Sequence, residues 1–341
     1  MKRTALRRAL LLLLAVACLL SASSSCANRS GAELPVNKKE LMDRFLEGKL
    51  GSYAPSAFFV HYRSDQKEGE AAVQAHLEYY LKSNMDILKV QFEQSIPKIG
   101  VLEVRNDWIP EDFYRPTLGI IRRLQEIAGA DVYVLPTIYC AYQIAYDSLG
   151  PERIREAAQN QPEALKSVLD SYRRALVWLI RECKAAGIQG FYMCTQGGEE
   201  PNGSIPGFFE NYVRAYDLAV MGECCAGTKL NILHICDWQG PYEDLARYSD
   251  YPGQIVNTPI EVGGEPFSLS DAYQLFGRPV LGGFNRKGEI NGMTPEQASA
   301  KAAEILAEAP AGKVMLGADC TVGSAPFANI HAAIAAAHGA R

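Results

Sequence analysis

A histidine and a cysteine two residues apart at the end of an apolar run can form half of a metal site. The segment Asn231-Ile-Leu-His-Ile-Cys236 has this form, with His234 and Cys236 closing it. In a strand, residues i and i+2 project from the same face, so the imidazole and the thiol would point the same way. Much later, Leu316-Gly-Ala-Asp-Cys-Thr321 places Cys320 just beyond a second apolar run. One imidazole and two thiolates make a Cys₂His donor set, which in catalytic zinc sites leaves a fourth position open. With Zn²⁺ such a set is formally neutral and therefore a modest activator of water. A substrate thiol entering the fourth position would be deprotonated there and would keep an electron-rich sulfur, suited to attack on a methyl donor. Taken singly, these residues have plainer uses, since buried cysteine is often a small apolar filler. Their convergence on one rim is what favours a metal, and that depends on the elements carrying them.

From residue 57 onward the chain repeats a short β-branched or aromatic run, a loop, and a longer amphipathic run. Strands are predicted over 57–62, 85–91, 131–137, 188–194, 230–235, 254–258, 279–283 and 313–317. Helices are predicted over 68–82, 112–128, 162–186, 207–225, 242–248, 268–276, 294–307 and 327–338. Thr294-Pro295-Glu296-Gln297 supplies an N-cap, a proline at the first helical position and a glutamine three residues after the cap. Gly187 stops the long third helix before Ile188. Alternating strands and helices require a parallel sheet with crossovers. Eight such units fit an α/β (β/α)8 TIM barrel of one domain, and no GxGxxG follows a strand to favour a dinucleotide fold. A barrel does its chemistry at the C-terminal ends of its strands. Those ends carry His61, Gln91, Tyr139, Cys194, Gln196, His234, Cys236, Asn257 and Cys320. His61 and Gln196 are candidates to touch substrate. Tyr139 and Tyr142 can stack on a planar ligand or simply pack the loop. Glu199 and Glu200, in the loop after the fourth strand, are a candidate fourth metal ligand or base, or else solvated charges.

The chain has 341 residues, with 34 basic and 39 acidic side chains giving a net charge of −5. That balance disfavours nucleic acid, whose binding requires clustered Lys and Arg. Residues 1–8 are basic, 9–20 are an apolar run, and 21–25 are small and polar before Cys26. This is the three-part layout of a secretory signal. Its removal would take Lys2, Arg3, Arg7 and Arg8 away and leave a charge of −9. The expected organisation is a lipoprotein-type signal peptide over 1–25, a tether and N-terminal helix over 26–50, and the barrel over 51–341. The expected location is outside the cytoplasm, with the membrane reached only through a lipid on Cys26. Seven further cysteines show no regular spacing, so they do not read as a disulfide framework.

Several of these segments together resemble the uroporphyrinogen decarboxylase superfamily. They are Asn231-Ile-Leu-His-Ile-Cys236, Tyr251-Pro252, Asn257, Val280-Leu-Gly-Gly283, Leu316-Gly-Ala-Asp-Cys-Thr321, and Pro326 with Asn329-Ile330. Asn84-Met-Asp-Ile-Leu-Lys-Val90 and Gly190-Phe-Tyr-Met-Cys-Thr-Gln196 add to the likeness, which spans roughly residues 40–338 and is closest to the methylcobamide:coenzyme M methyltransferase branch. The resemblance implies a (β/α)8 barrel. It also implies a zinc ion held by His234, Cys236 and Cys320 that activates a thiol for methyl transfer from a corrinoid, itself a substrate or a partner protein's cofactor. In the decarboxylase branch an aspartate at the barrel mouth engages pyrrole nitrogens, and Asp86 resembles it; in this reading Asp86, Gln196 and His61 orient substrate, and Tyr139 and Asn257 contact the cofactor. The segment Phe59-Val-His-Tyr-Arg63 has only Arg63 where decarboxylases are Arg-rich, which weighs against a polyanionic tetrapyrrole. Asp237 and Trp238 also depart from the family pattern. Tetrapyrrole decarboxylation and non-catalytic capture of a corrinoid or tetrapyrrole are the alternative functions.

Overall fold

The structure is a computed structural model that describes residues 37–323 and 325–339. The expected signal segment 1–25, Cys26 and the tether up to residue 36 lie outside the described residues. The first element is the helix α1, Lys38–Leu46, as the sequence predicts. Asn37 caps it, its side chain accepting from the backbone N–H groups of Lys39 and Glu40, and the helix buries Leu41, Met42 and Phe45. This satisfies two of the four N–H groups that a helix start leaves without partners.

Seven strands form one curled parallel sheet of TIM-like form, in the order β1-β2-β3-β4-β5-β8-β9. They are β1 Leu88–Val90, β2 Val134–Ile138, β3 Gly190–Thr195, β4 Leu230–Ile235, β5 Ile255–Asn257, β8 Val280–Phe284 and β9 Val314–Ala318. Between β5 and β8, β6 Glu261–Val262 and β7 Glu265–Pro266 make a small antiparallel hairpin absent from the predicted pattern. Helices α2 Gly69–Ser83, α3 Arg115–Ala128, α4 Ala141–Leu149, α5 Pro151–Asn160 and α6 Pro162–Ala185 follow α1. Beyond β3 come the short turn α7 Glu200–Gly203 and α8 Ala215–Cys225, then α9 Leu269–Phe276, α10 Pro295–Glu308 and α11 Phe327–Gly339. Apolar faces of α3 and α6 (Ile121, Leu124, Leu176, Leu179, Ile180) are buried in the larger core with strand residues such as Val134 and Phe191. Among the described residues, no helix is long and apolar enough to cross a membrane.

The expected first strand over 57–62 is an extended segment instead, shifted toward its N-terminus and making a single parallel bridge, Ser56 to Leu316. It nonetheless links the two edges of the sheet. Leu316 N–H donates to Pro55 O at 2.7 Å, Ala57 N–H donates to Leu316 O at 2.8 Å, and Asp86 N–H donates to Ser56 O at 3.0 Å. Pro55 has no N–H to extend the ladder. Gly317 is the point of closest approach, because a Cβ there would lie 2.4 Å from Ala57 O and 2.7 Å from Leu281 Cδ1. Gly317→Ala is therefore expected to lower stability by about 3 kcal/mol through overpacking. Denaturant unfolding would measure this, and a wild-type midpoint would show that the approach is not tight.

Two expected helices differ. The run 242–248 contains only a 3₁₀ turn, Ala246–Tyr248. The Tyr242 carbonyl is already taken by Gly263 N–H at 2.8 Å, so it cannot open a helical ladder. The run 207–225 enters α8 through a π turn, Glu210–Arg214. Helices α4 and α5 are absent from the predicted pattern; Gly150 at φ 85° and Pro151 divide them.

Candidate metal centre

The register of the sheet sets the site. Cys194 on β3 pairs with His234 on β4, and His234 pairs with Asn257 on β5. Cys236 follows β4 directly and is held in line by its N–H, which donates to Thr195 O at 3.1 Å. Cys320 follows β9, where Asp319 N–H donates to Phe284 O at 3.0 Å and Arg286 N–H donates to Asp319 Oδ1 at 2.5 Å. These bonds bring three donor atoms of His234, Cys236 and Cys320 within 4.8 Å of one another.

The donor set has the dimensions of a zinc site. Ligands at about 2.3 Å in a tetrahedron leave two sulfurs roughly 3.8 Å apart, and Cys236 Sγ and Cys320 Sγ are 3.9 Å apart. His234 is buried and its Nδ1 has no hydrogen-bond partner. An orphaned buried nitrogen calls for a ligand. The two thiols act as one unit. The hydrogen bond from Cys236 holds Cys320 well below the usual thiol range, against the opposing effect of burial. Donating that bond, together with burial, pushes Cys236 well above it. One proton of the pair is thus easily lost, and a metal would displace the second. All seven cysteines of the described chain are free thiols, so the unpaired count is met without any disulfide.

Beneath the donor set, the Tyr192 ring packs against His234 at 5.2 Å. Tyr192 OH donates to Asn257 Oδ1 at 2.8 Å, while Asn257 Nδ2 donates to Leu281 O at 2.8 Å and Ala318 O at 3.1 Å. Asn257 is completely buried. It therefore ties β5, β8, β9 and Tyr192 together instead of lining the opening.

The three donors line a cavity of about 140 Å³ together with His61, Gln196, Tyr139, Lys89, Gln91, Tyr192, Cys194 and Trp238. His61 is half exposed, with Nδ1 3.1 Å from Glu93 Oε1. Gln196 is buried and accepts from Gln239 Nε2 at 3.0 Å. Tyr139 packs edge-on to Phe92. Asp86 lies elsewhere, before β1 and so on the N-terminal side of the sheet. It is completely buried, accepting from Tyr53 OH at 2.8 Å and Ser56 N–H at 2.7 Å, and it faces His338 Nε2 at 2.9 Å. The His338 ring is stacked on Tyr53.

Other residues gain significance only in three dimensions. Lys89, in the middle of β1, is 8% exposed and reaches the cavity. Its position in an apolar strand was the available signal. Glu199 is 1% exposed rather than solvated, with Gly197 N–H donating to its Oε2 at 2.5 Å. Burial pushes its carboxyl up to about 7. It stands outside the donor set and lines a second cavity of about 220 Å³ with Tyr142, Tyr146, Arg155 and Asn202. Gln239 is shared, lining that cavity and donating to Gln143 Oε1 at 2.6 Å beside the first.

No family model and no curated protein matches this sequence. Solved structures do. A methyltransferase from Methanosarcina mazei superposes with a TM-score of 0.71 at 15% identity, covering 89% of this chain and 98% of that one. A B12-independent methionine synthase from Shewanella sp., solved with selenomethionine, gives a TM-score of 0.54 at 12% identity, covering 84% of this chain and 97% of that one. At these identities the likeness speaks to the fold alone: this chain shares the TIM-barrel-like fold of these two structures.

Proposed function

We propose that this protein is a zinc-dependent methyltransferase that delivers a methyl group to a small thiol, taking it from a corrinoid or a small methyl donor. The observation that carries the reading is the meeting of the Cys236 and Cys320 sulfurs, 3.9 Å apart, with an imidazole whose Nδ1 has no partner. His234, Cys236 and Cys320 would hold the ion, which lowers the pKa of a thiol in its open position and so supplies a nucleophile at neutral pH. The chain's residues do the rest. Tyr192 and Asn257 fix the His234 ring, Gln196 and Tyr139 border the reacting sulfur, and His61 stands at the outer edge. The methyltransferase neighbour supports this class on grounds of shared fold.

A tetrapyrrole decarboxylase would depend on Asp86, whose oxygens are committed to Tyr53, Ser56 and His338 beyond the cavity. The methyltransferase reading is therefore preferred. A corrinoid protein as donor, and an exported location with a lipid anchor at Cys26, complete the proposal; the latter rests on residues 1–26 of the sequence.

The test is direct. Purified protein is expected to bind about one zinc per chain. After cobalt(II) replacement it should show sulfur-to-cobalt absorption that changes when 3-mercaptopropionate is added, and methylcobalamin with that thiol should lose its methyl–cobalt absorbance. A folded chain that binds no zinc would remove the basis of the reading.

A further inference from the structure

The second cavity holds two buried acceptors that no donor in the chain answers. It is walled by α4, α5, α7 and the segment after β4, apart from the metal donors. Glu199 is 1% exposed and Asn202, on α7, is 5% exposed, and both line it. Glu199 Oε2 accepts from Gly197 N–H at 2.5 Å, while Oε1 has no hydrogen-bond partner. Asn202 gives its two N–H groups to Tyr142 OH at 2.9 Å and Gly197 O at 3.1 Å, and its Oδ1 has no partner. A carbonyl can only accept, so the bond to Gly197 O fixes which end of the amide is nitrogen. The end left over is an oxygen.

Two acceptors cannot satisfy each other, and burying either one without a donor costs free energy. The missing hydrogen must come from a ligand or be a proton on Glu199 itself. Burial pushes that carboxyl up only to about 7, so above this pH the group is an anion. Among the described residues no ion pair reaches it. Arg155, the cation among the lining residues, pairs with Glu152 at 3.6 Å, which is not one of them. The space of about 220 Å³ is many times what a single water needs. Tyr142 and Tyr146 give it aromatic sides. An ammonium brings positive charge and three N–H groups together, enough to reach two oxygens at once through charge-assisted bonds.

We propose that this cavity is a second ligand site, which takes a small primary amine as its ammonium ion, donating to Glu199 Oε1 and Asn202 Oδ1 with a short apolar tail along Tyr142 and Tyr146. The site is independent of the thiol-directed reading, since none of His234, Cys236 and Cys320 lines it. It adjoins the metal-lined cavity through Gln239, which donates to Gln143 Oε1 at 2.6 Å and Gln196 Oε1 at 3.0 Å on the far side of the shared wall.

Calorimetric titration of the full chain at about pH 8, where the carboxyl and the amine are both ionised, tests this with ethylammonium, tetramethylammonium and ethanol. Tetramethylammonium keeps the charge without an N–H, and ethanol keeps a donor without the charge. Ethylammonium is expected to bind more tightly than either by about tenfold or more. Glu199→Gln sets an N–H group where the unanswered oxygen stands, so the chain then supplies its own donor. That variant should bind ethylammonium about tenfold or more weakly and melt at or above the wild-type temperature. A lower melting temperature would mark the carboxylate as a structural group and count against the site. Tyr146→Trp fills part of the cavity while keeping both oxygens, and should weaken binding too. Unchanged affinity in both variants would place the amine elsewhere and overturn the proposal. Equal affinity for the three probes in the wild type overturns it without any variant. No binding of ethylammonium does the same, and means that water or a proton on Glu199 serves the two oxygens. Chelator-treated protein is expected to bind ethylammonium as well, so loss of the metal reading leaves this site standing.

Discussion

Cys236→Ala is expected to bind zinc on the order of 1000-fold more weakly than the wild type and to lose thiol-dependent methyl transfer with it. The size follows from the donor count. Loss of an outer partner that merely orients a ligand already costs about 10–100-fold, and this change removes one of three protein donors. The fold should survive, because a buried thiol exchanged for a methyl group is a small change of about 1 kcal/mol. Cys194→Ala is the control. Cys194 lines the same cavity and pairs in register with His234, but it stands outside the donor set. Metal analysis and competition with a chromophoric chelator would measure both variants. Equal zinc affinity in Cys236→Ala and wild type, or equal losses in Cys194→Ala and Cys236→Ala, would dissolve the assignment.

The second large effect concerns Asp217 of α8, which is completely buried. Its Oδ2 accepts from Thr195 Oγ1 at 2.5 Å and from Tyr251 OH at 3.4 Å, while Oδ1 has no partner. Burial pushes the carboxyl up to about 8, against an ordinary value of 3.8. Between these values the folded chain keeps a proton that the unfolded chain releases. The folded state then binds more protons, so stability falls as pH rises through that window, and the penalty is complete above about pH 8. Asp217→Asn supplies a permanently neutral group of the same shape. It is expected to raise stability on the order of 3 kcal/mol at pH 8, with the gain vanishing below about pH 3 where both states hold the proton. Glu199, raised to about 7 by burial, contributes in the same direction in both proteins. Melting temperatures of the two proteins between pH 5 and pH 9 should diverge with rising pH. Parallel curves would mean that Asp217 is not protonated in the folded chain.

The meeting of His234, Cys236 and Cys320 was legible because strand geometry is simple. His234 and Cys236 are two apart at the end of an apolar run, and β4 was bounded correctly at Leu230–Ile235. Cys320 could be placed beside them only by assuming that the last strand of the sheet returns to the first, which Pro55–Ala57 accomplishes through two bonds to Leu316. Asp86 shows the limit of that reasoning. Taking 85–91 as one strand puts Asp86 within the sheet, whereas pairing begins at Leu88 and leaves it on the N-terminal side. Lys89 was overlooked because a lone lysine in a strand is usually a snorkelling one, its head in water. Only the packing of Phe59 and Tyr192 around its ammonium excludes that course. The helix Ala141–Leu149 and its successor were missed because β2 to α6 reads as a single long connection until Gly150-Pro151 is seen to break it.

The two sulfurs that face each other come from positions 84 residues apart. A cation seated between them would fasten the segment after β4 to the segment after β9. A polypeptide folded only as far as β5 would own one histidine and one thiol of the donor set. Such a centre would be complete only once β9 has paired with β8, so metal loading would follow the closing of that part of the sheet.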